Sequence, residues 1–398
     1  MSTPFPTDPL QAVTHVDPYP YYAALARDRP LYRDTRLGLW VASDPRLIRD
    51  IMRHPAARVR PLAEPVPKGI AAGPAGLLFG RFLRMNDGPR QRRLKTLFSG
   101  FLARQAPLAP APDWQRLDLD ARSASSVDRC LHAAPVFAQA CAIGLPGAVA
   151  AECARDIGAF LAALPPSAAE DRTAAGHAAA ERLLARLRAH LDDPAASPAL
   201  RELRVLGTEA GLDPMLLAAN LAGLLFQACE AGAGLLGNAL LRAARLGAGA
   251  DLTRAQAWEM VDATLRHDPP IHNTRRFLAG PIELDGQRIE ADETVLLVLA
   301  AAAMAQPDAH WTFGAQGHAC PGRDAARRDA AGALVHLLKA GIDGAALAAR
   351  FRYRPLPNAR IPQFDFTEEP PHDRRDIRSR ARRRQCRALS AHRRGPDR

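Results

Sequence analysis

Apolar positions fall into helical stripes over most of the chain and into alternating runs over a few short stretches only. Leu183, Leu187 and Leu191 recur at four-residue spacing, one stripe of an amphipathic helix over Ala178 to Leu191. Pro214 to Arg245 is apolar on nearly all sides, which predicts a long helix through the core, capped by Asp213-Pro214. Glycines at 223, 232, 234 and 237 interrupt it, each costing about 1 kcal/mol relative to alanine. Either a bulky group or a closely packed neighbour approaches the backbone there. Further helices are predicted from Pro18 to Asp28, after Ser43-Asp44-Pro45, over 90–103, from Thr253 to about Asp268, and from Cys320 to about Leu338. Strand patterns cover Leu31–Arg33 and Leu39–Val41, then Ile282–Leu284 and Arg288–Ile289 around the turn signal Asp285-Gly286. Thr294–Leu299 reads as a buried strand, and Phe351–Tyr353 with Arg360–Ile361 as a last pair. Residues 61–81, rich in Pro, Gly and Ala, read as a long loop. The sum is mainly α with a small β portion and no internal repeat.

Composition narrows the class. The 398 residues are 47% hydrophobic and 24% charged, ordinary for a soluble globular protein, which excludes a disordered chain, a collagen and a coiled-coil rod. No stretch approaches the roughly 18 uncharged apolar residues of a membrane span, and Met1 to Val13 lacks the pattern of a signal peptide or anchor. Six cysteines in so long a chain make no disulfide scaffold, so a cytoplasmic location is expected. Of the formal charge of +11, residues 371–398 carry +8. A nucleic-acid-binding body would hold that charge on a folded face, so no nucleic-acid partner is expected. The expected organisation is one domain over 1–364 and an Arg-rich, disordered tail over 365–398.

One segment stands apart as chemistry: Phe313-Gly314-Ala315-Gln316-Gly317-His318-Ala319-Cys320-Pro321-Gly322. Cys320 just ahead of a helix is where a thiolate is favoured. The glycines permit a tight loop with inward N–H groups, His318 reaches towards an anionic group, and Phe313 offers a flat apolar surface. These are the needs of a thiolate-ligated haem. The alternatives are a small buried cysteine or zinc, which needs about four ligands where His318 and Cys320 supply two.

The segment resembles the haem-binding loop of the cytochromes P450, Phe-Gly-x-Gly-x-His-x-Cys-x-Gly, matching at Phe313, Gly314, His318, Cys320 and Gly322, with Gln316 replacing the second Gly. Gln227–Gly234 is similar to the family's distal helix. There Glu230 fits the acid of the acid–alcohol pair, while Ala231 and Gly232 stand where hydroxyls belong. Ala263–Arg266 resembles the Glu-x-x-Arg helix with Ala263 in place of Glu, and Asp262 lies one turn before Arg266. Arg276 matches the arginine that contacts a haem propionate. Asp87–Lys95 looks like the basic helix over the propionates, with Gln91 and Lys95 for its usual His and Arg.

The resemblance covers about Asp17 to Phe364 and implies the cytochrome P450 fold. It further implies haem b (iron protoporphyrin IX) on Cys320 and a monooxygenase reaction on a small hydrophobic substrate. The electron donor it implies is of ferredoxin or flavodoxin type, met by a basic face of Arg92, Arg323, Arg327 and Arg328. Residues 61–81, Phe226, Ala233 and Ile271–Thr274 are expected at the substrate pocket. A haem-binding homologue with little oxygenase activity, or peroxide-driven or phenol-coupling chemistry, remains as the alternative. The family's irregular stretch before the haem loop is cut to Asp308–Thr312, which predicts a taut connection and a weakly held haem.

Overall fold

Helices begin where the sequence places small polar residues. In the computed structural model, which describes residues 5–105 and 111–366, the Asp44 carboxylate accepts the Leu47 N–H at 2.9 Å. Asp213 accepts that of Met215, also at 2.9 Å. Thr253 and Gln256 exchange bonds in a capping box. The amino-terminal part runs α1 (Pro9–Ala12), α2 (Tyr19–Asp28), β1 (Leu31–Asp34), β2 (Leu39–Ala42), α3 (Pro45–Arg53), β3 (Ala57–Arg58), α4 (Pro74–Phe79) and α5 (Pro89–Gln105). The helical body follows with α6 (Ala124–Ala142), α7 (Gly147–Ala162), α8 (Glu170–Asp192), α9 (Pro198–Glu209), α10 (Pro214–Arg245) and α11 (Arg254–His267). Then come β4 (Thr274–Leu278), β5 (Ile282–Leu284), β6 (Gln287–Ile289), β7 (Thr294–Leu297) and α12 (Leu299–Ala305). The chain closes with α13 (Arg323–Lys339), α14 (Gly344–Ala349), β8 (Arg352–Tyr353) and β9 (Pro362–Gln363). The architecture is mainly α with a small β portion, and the Arg-rich tail expected from 365 onward lies almost wholly outside the described residues.

The sheet order is β1-β2-β7-β4-β3, with β2 and β7 parallel and the other neighbours antiparallel. The β5–β6 hairpin turns on Asp285 (φ 52°) and Gly286 (φ 72°), both left-handed as a two-residue turn of this kind requires. Helix α10 runs through the core, packed by α6, α8, α11, α13 and α14. It is long and apolar enough to cross a membrane, yet its apolar faces are buried against these helices. Its glycines admit neighbouring chain: a Cβ on Gly234 would lie 2.9 Å from the Arg360 carbonyl oxygen, and one on Gly232 would lie 2.3 Å from Pro135. Close packing of neighbouring chain accounts for Gly232 and Gly234, and for Gly237 beside Pro362.

Three expectations are corrected. The 61–81 stretch is no plain loop, since it contains α4 and a 3-10 turn at Lys68–Ile70. Helix α8 begins at Glu170, well before its leucine stripe, because its first turns pack through small residues: Gly176 has room for no Cβ beside Ala163. Finally, β8 pairs with Pro362–Gln363, and of the expected Arg360–Ile361 only Ile361 joins it, its carbonyl accepting the Arg354 N–H at 2.9 Å. The preceding residues are pulled to 270–271 instead, where the Arg360 N–H donates to the Pro270 carbonyl at 2.8 Å and Ala359 bridges Ile271.

Candidate functional site

The Phe313–Gly322 segment closes on itself through the Cys320 N–H, which donates to the Phe313 carbonyl at 2.8 Å. Gly314 takes a left-handed φ of 68°, and Gln316, at the position of the family's second Gly, takes one of 58°. Helix α5 grips the loop. Gln91 Nε2 donates to the Gly317 carbonyl at 3.2 Å, and Lys95 Nζ donates to that of Ala319. These two residues therefore hold loop carbonyls, a role the sequence did not reveal. His318 Nε2 donates to Asp87 Oδ1 at 3.1 Å, while its buried Nδ1 has no partner among the described residues. Burial lowers the His318 pKa against the pull of Asp87.

Inside the loop lies a cavity of about 290 Å³. Phe313, Gly314, His318, Cys320 and Gly322 line it from the loop, and Arg84, Lys95 and Arg276 add positive charge. The Cys320 side chain is accessible, but its open surface faces this cavity. Burial pushes its thiol pKa up, against the Gly322 N–H, Lys95, Arg84 and Arg323, which favour the thiolate. The helix start alone does not ionise it, because desolvation wins.

The cations are short of anions. Arg276 is 2% exposed and, among the described residues, donates only to the Arg275 carbonyl, at 2.9 Å. Its pKa falls to about 10, through burial first and the neighbouring Arg84 second. Arg84 has no hydrogen bond or ion pair among the described residues, and burial lowers its pKa too. The carboxylate near both, Asp87, is taken up by His318 and by the Val59 N–H at 3.0 Å. Unpaired guanidiniums, buried at Arg276 and half-buried at Arg84, are costly unless an anion joins them. A thiol beside two such groups in an apolar slot fits haem: sulfur for iron, guanidiniums for the two propionates. Zinc does not fit, since no group of three or more His, Cys, Asp or Glu gathers among the described residues. Arg84 escaped the sequence reading because one arginine among so many carries no signal.

The loop's support includes the Asp262–Arg266 pair that the sequence spacing allowed, and adds to it. Asp262 Oδ2 accepts Arg266 Nη1 at 2.6 Å, and Asp262 Oδ1 accepts Arg327 Nη2 from α13, so the carboxylate missing at Ala263 is supplied one position earlier. The short connection is not taut. Helix α12 returns the chain, and 3-10 turns at Pro307–Ala309 and Trp311–Phe313 coil the remainder. Trp311 is buried there under the Arg49 guanidinium, and Thr312 Oγ1 accepts the Ile271 N–H at 3.0 Å.

On the α10 wall, Gly223, Gln227, Ala231 and Gly232 face the cavity, and Glu230 does not. Glu230 lies within electrostatic reach of Arg354; burial raises its pKa and Arg354 lowers it. Ile271, Asn273 and Thr274 line the cavity as expected. Phe226 and Ala233 do not: Phe226 packs among Phe79, Phe82 and Phe160 at 5.1–6.0 Å between centroids, and Ala233 is wholly buried. No residue of 61–81 reaches the wall, which starts at Phe82 on that side. Of the basic face, Arg327 is spent on Asp262 and Arg328 bonds Asp329, whereas Arg92 and Arg323 stay exposed.

No family model matches the sequence, and no curated protein does. Solved structures match its fold. CalO2 superposes with a TM-score of 0.67 at 21% identity, over 91% of this chain and 99% of its own. P450BioI, solved with an acyl carrier protein ligated to hexadec-9Z-enoic acid, gives 0.66 at 21% identity, over 88% and 98%. The P450 heme domain of Tepidiphilus thermophilus gives 0.63 at 18% identity, over 89% and 94%.

Proposed function

Because the chain has the cytochrome P450 fold, we propose that it is a haem-thiolate monooxygenase. On this reading it places one oxygen atom from O₂ into a small hydrophobic substrate, with electrons from a ferredoxin- or flavodoxin-type donor. The observation that carries the reading is the Cys320 thiol in a cavity flanked by the unpaired guanidiniums of Arg84 and Arg276. Haem b bound through a thiolate supplies an electron-rich iron that favours O–O cleavage.

The chain's own residues do the rest. Cys320, with its thiolate favoured by the Gly322 N–H and Lys95, would hold the iron. Arg84 and Arg276 would hold the propionates, while His318, its Nε2–H on Asp87, bounds the same cavity. Leu235, Leu236 and Leu299 keep water from the cavity. Glu230, whose raised pKa favours holding a proton, serves from behind the α10 wall. Exposed Arg92 and Arg323 face an acidic electron donor. The test is the reduced, CO-bound absorption spectrum. The red-shifted Soret band of thiolate ligation is expected, and Cys320→Ala loses it; a variant spectrum identical to the parent's refutes the assignment.

A second reading, a haem protein with little oxygenase activity, is favoured by the two α10 wall positions without a hydroxyl, Ala231 and Gly232. Product formed with a reductase and ferredoxin, against product formed with peroxide, separates the two.

A further inference from the structure

The cavity face of α10 carries two amide side chains, and only one is committed. Asn220 Oδ1 accepts the Leu83 N–H at 2.6 Å, and its Nδ2 donates to the carbonyls of Leu216 and Arg81 at 2.9 and 3.2 Å. Gln227, two turns further along the same face, lines the cavity and makes no hydrogen bond among the described residues. Its neighbours on that face, Gly223, Leu224, Ala228 and Ala231, have no polar side-chain atoms. A carboxamide offers two donors and an acceptor, and half-buried Gln227 leaves them open to the cavity. A ligand that covers the amide without bonding it strands those groups, and one that bonds them does not. In pockets of this kind a few placed polar groups fix the orientation of an otherwise apolar molecule.

We propose that Gln227 is a specificity-determining residue of this cavity, and that the substrate is a small apolar molecule bearing a carbonyl or hydroxyl group, which the Gln227 carboxamide bonds. The proposal rests on the haem-thiolate reading, since it takes the rest of the cavity as the haem slot. Two features set the substrate class. The surrounding wall selects hydrocarbon, and the free amide selects against a molecule that leaves it unbonded.

The probes are cyclohexanone and methylenecyclohexane, which share a shape and differ by an oxygen in place of a CH₂ group. Their dissociation constants are measured on haem-loaded protein by absorbance titration and by calorimetry. The quantity read is the ratio of the two constants. Gln227→Leu is expected to shift that ratio away from cyclohexanone about two- to tenfold, the value of one neutral hydrogen bond, and Gln227→Met does the same should the leucine variant fail to fold. An equal ratio in parent and variants overturns the proposal. Absence of the thiolate CO band from the parent protein instead overturns the haem-thiolate reading and the proposal with it, so the two failures are told apart.

Discussion

Asp262 is the residue whose removal best tests how the cysteine loop is supported. Its carboxylate bonds Arg266 on its own helix and Arg327 on α13, the helix that starts three residues after Cys320. Asp262 is 20% exposed at its side chain, Arg327 19% and Arg266 36%. A fully exposed pair is worth about 0–1 kcal/mol, while breaking a fully buried one costs ~3–5 kcal/mol. Burial between these limits, with two charge-assisted bonds lost at once, places Asp262→Asn at about 2 kcal/mol. Arg327 keeps its packing over the Trp258 ring, 4.6 Å from the centroid, so helix α13 loosens without detaching. Urea unfolding of the haem-loaded protein reads the loss, and haem transfer to an apo-globin should speed up in parallel. Burial would raise the Asp262 pKa, but the Arg327 and Arg266 bonds outweigh it and hold the pKa below the usual range. The contribution is therefore present above the unfolded carboxylate pKa and is lost as pH falls through the lowered folded value. A loss under about 0.5 kcal/mol at pH 7, the level of a neutral surface change, refutes the claim that this carboxylate replaces the one absent at Ala263.

Gln316→Gly should stabilise the loop by about 0.5–1 kcal/mol, because a left-handed φ of 58° costs a side-chain-bearing residue roughly 1–2 kcal/mol; a lower midpoint in thermal unfolding contradicts this. Gly158→Ala, exposed with nothing within 4 Å, should add about 1 kcal/mol to α7. Gly234→Ala, whose Cβ would press on Pro270 and the Arg360 carbonyl at 2.8 and 2.9 Å, should cost roughly 1–3 kcal/mol in the same assay. Burial lifts the Asp329 carboxyl to about 6, against the pull of Arg328. A raised folded pKa favours stability below the unfolded value and withdraws it as pH rises to 6. Asp329→Asn should thus stabilise by up to ~3 kcal/mol at pH 7 and by little at pH 4; an equal effect at both excludes ionisation as the cause.

The sequence by itself determined what depends on residues close along the chain. The bounds of α10 followed from the Asp213 cap and its apolar run, the β5–β6 turn from Asp285-Gly286, and the Cys320 loop from ten consecutive residues. Caps, turns and helical stripes are settled within about four positions, so they are written locally. Tertiary structure alone decided which charges meet. Asp262 finds Arg327 at a separation of 65 residues, and Gln91 finds the Gly317 carbonyl across 226. Arg84 is left without an ion pair among the described residues because folding half-buries it beside Arg276. The same holds for α10, where the composition of Gln227–Gly232 was plain but its rotation was not. Packing of Gly232 on Pro135 and Gly234 on Pro270 turns Gln227 into the cavity and leaves Glu230 off its wall. A helix's sequence fixes the angles between its side chains, and only its neighbours fix which of them faces the site.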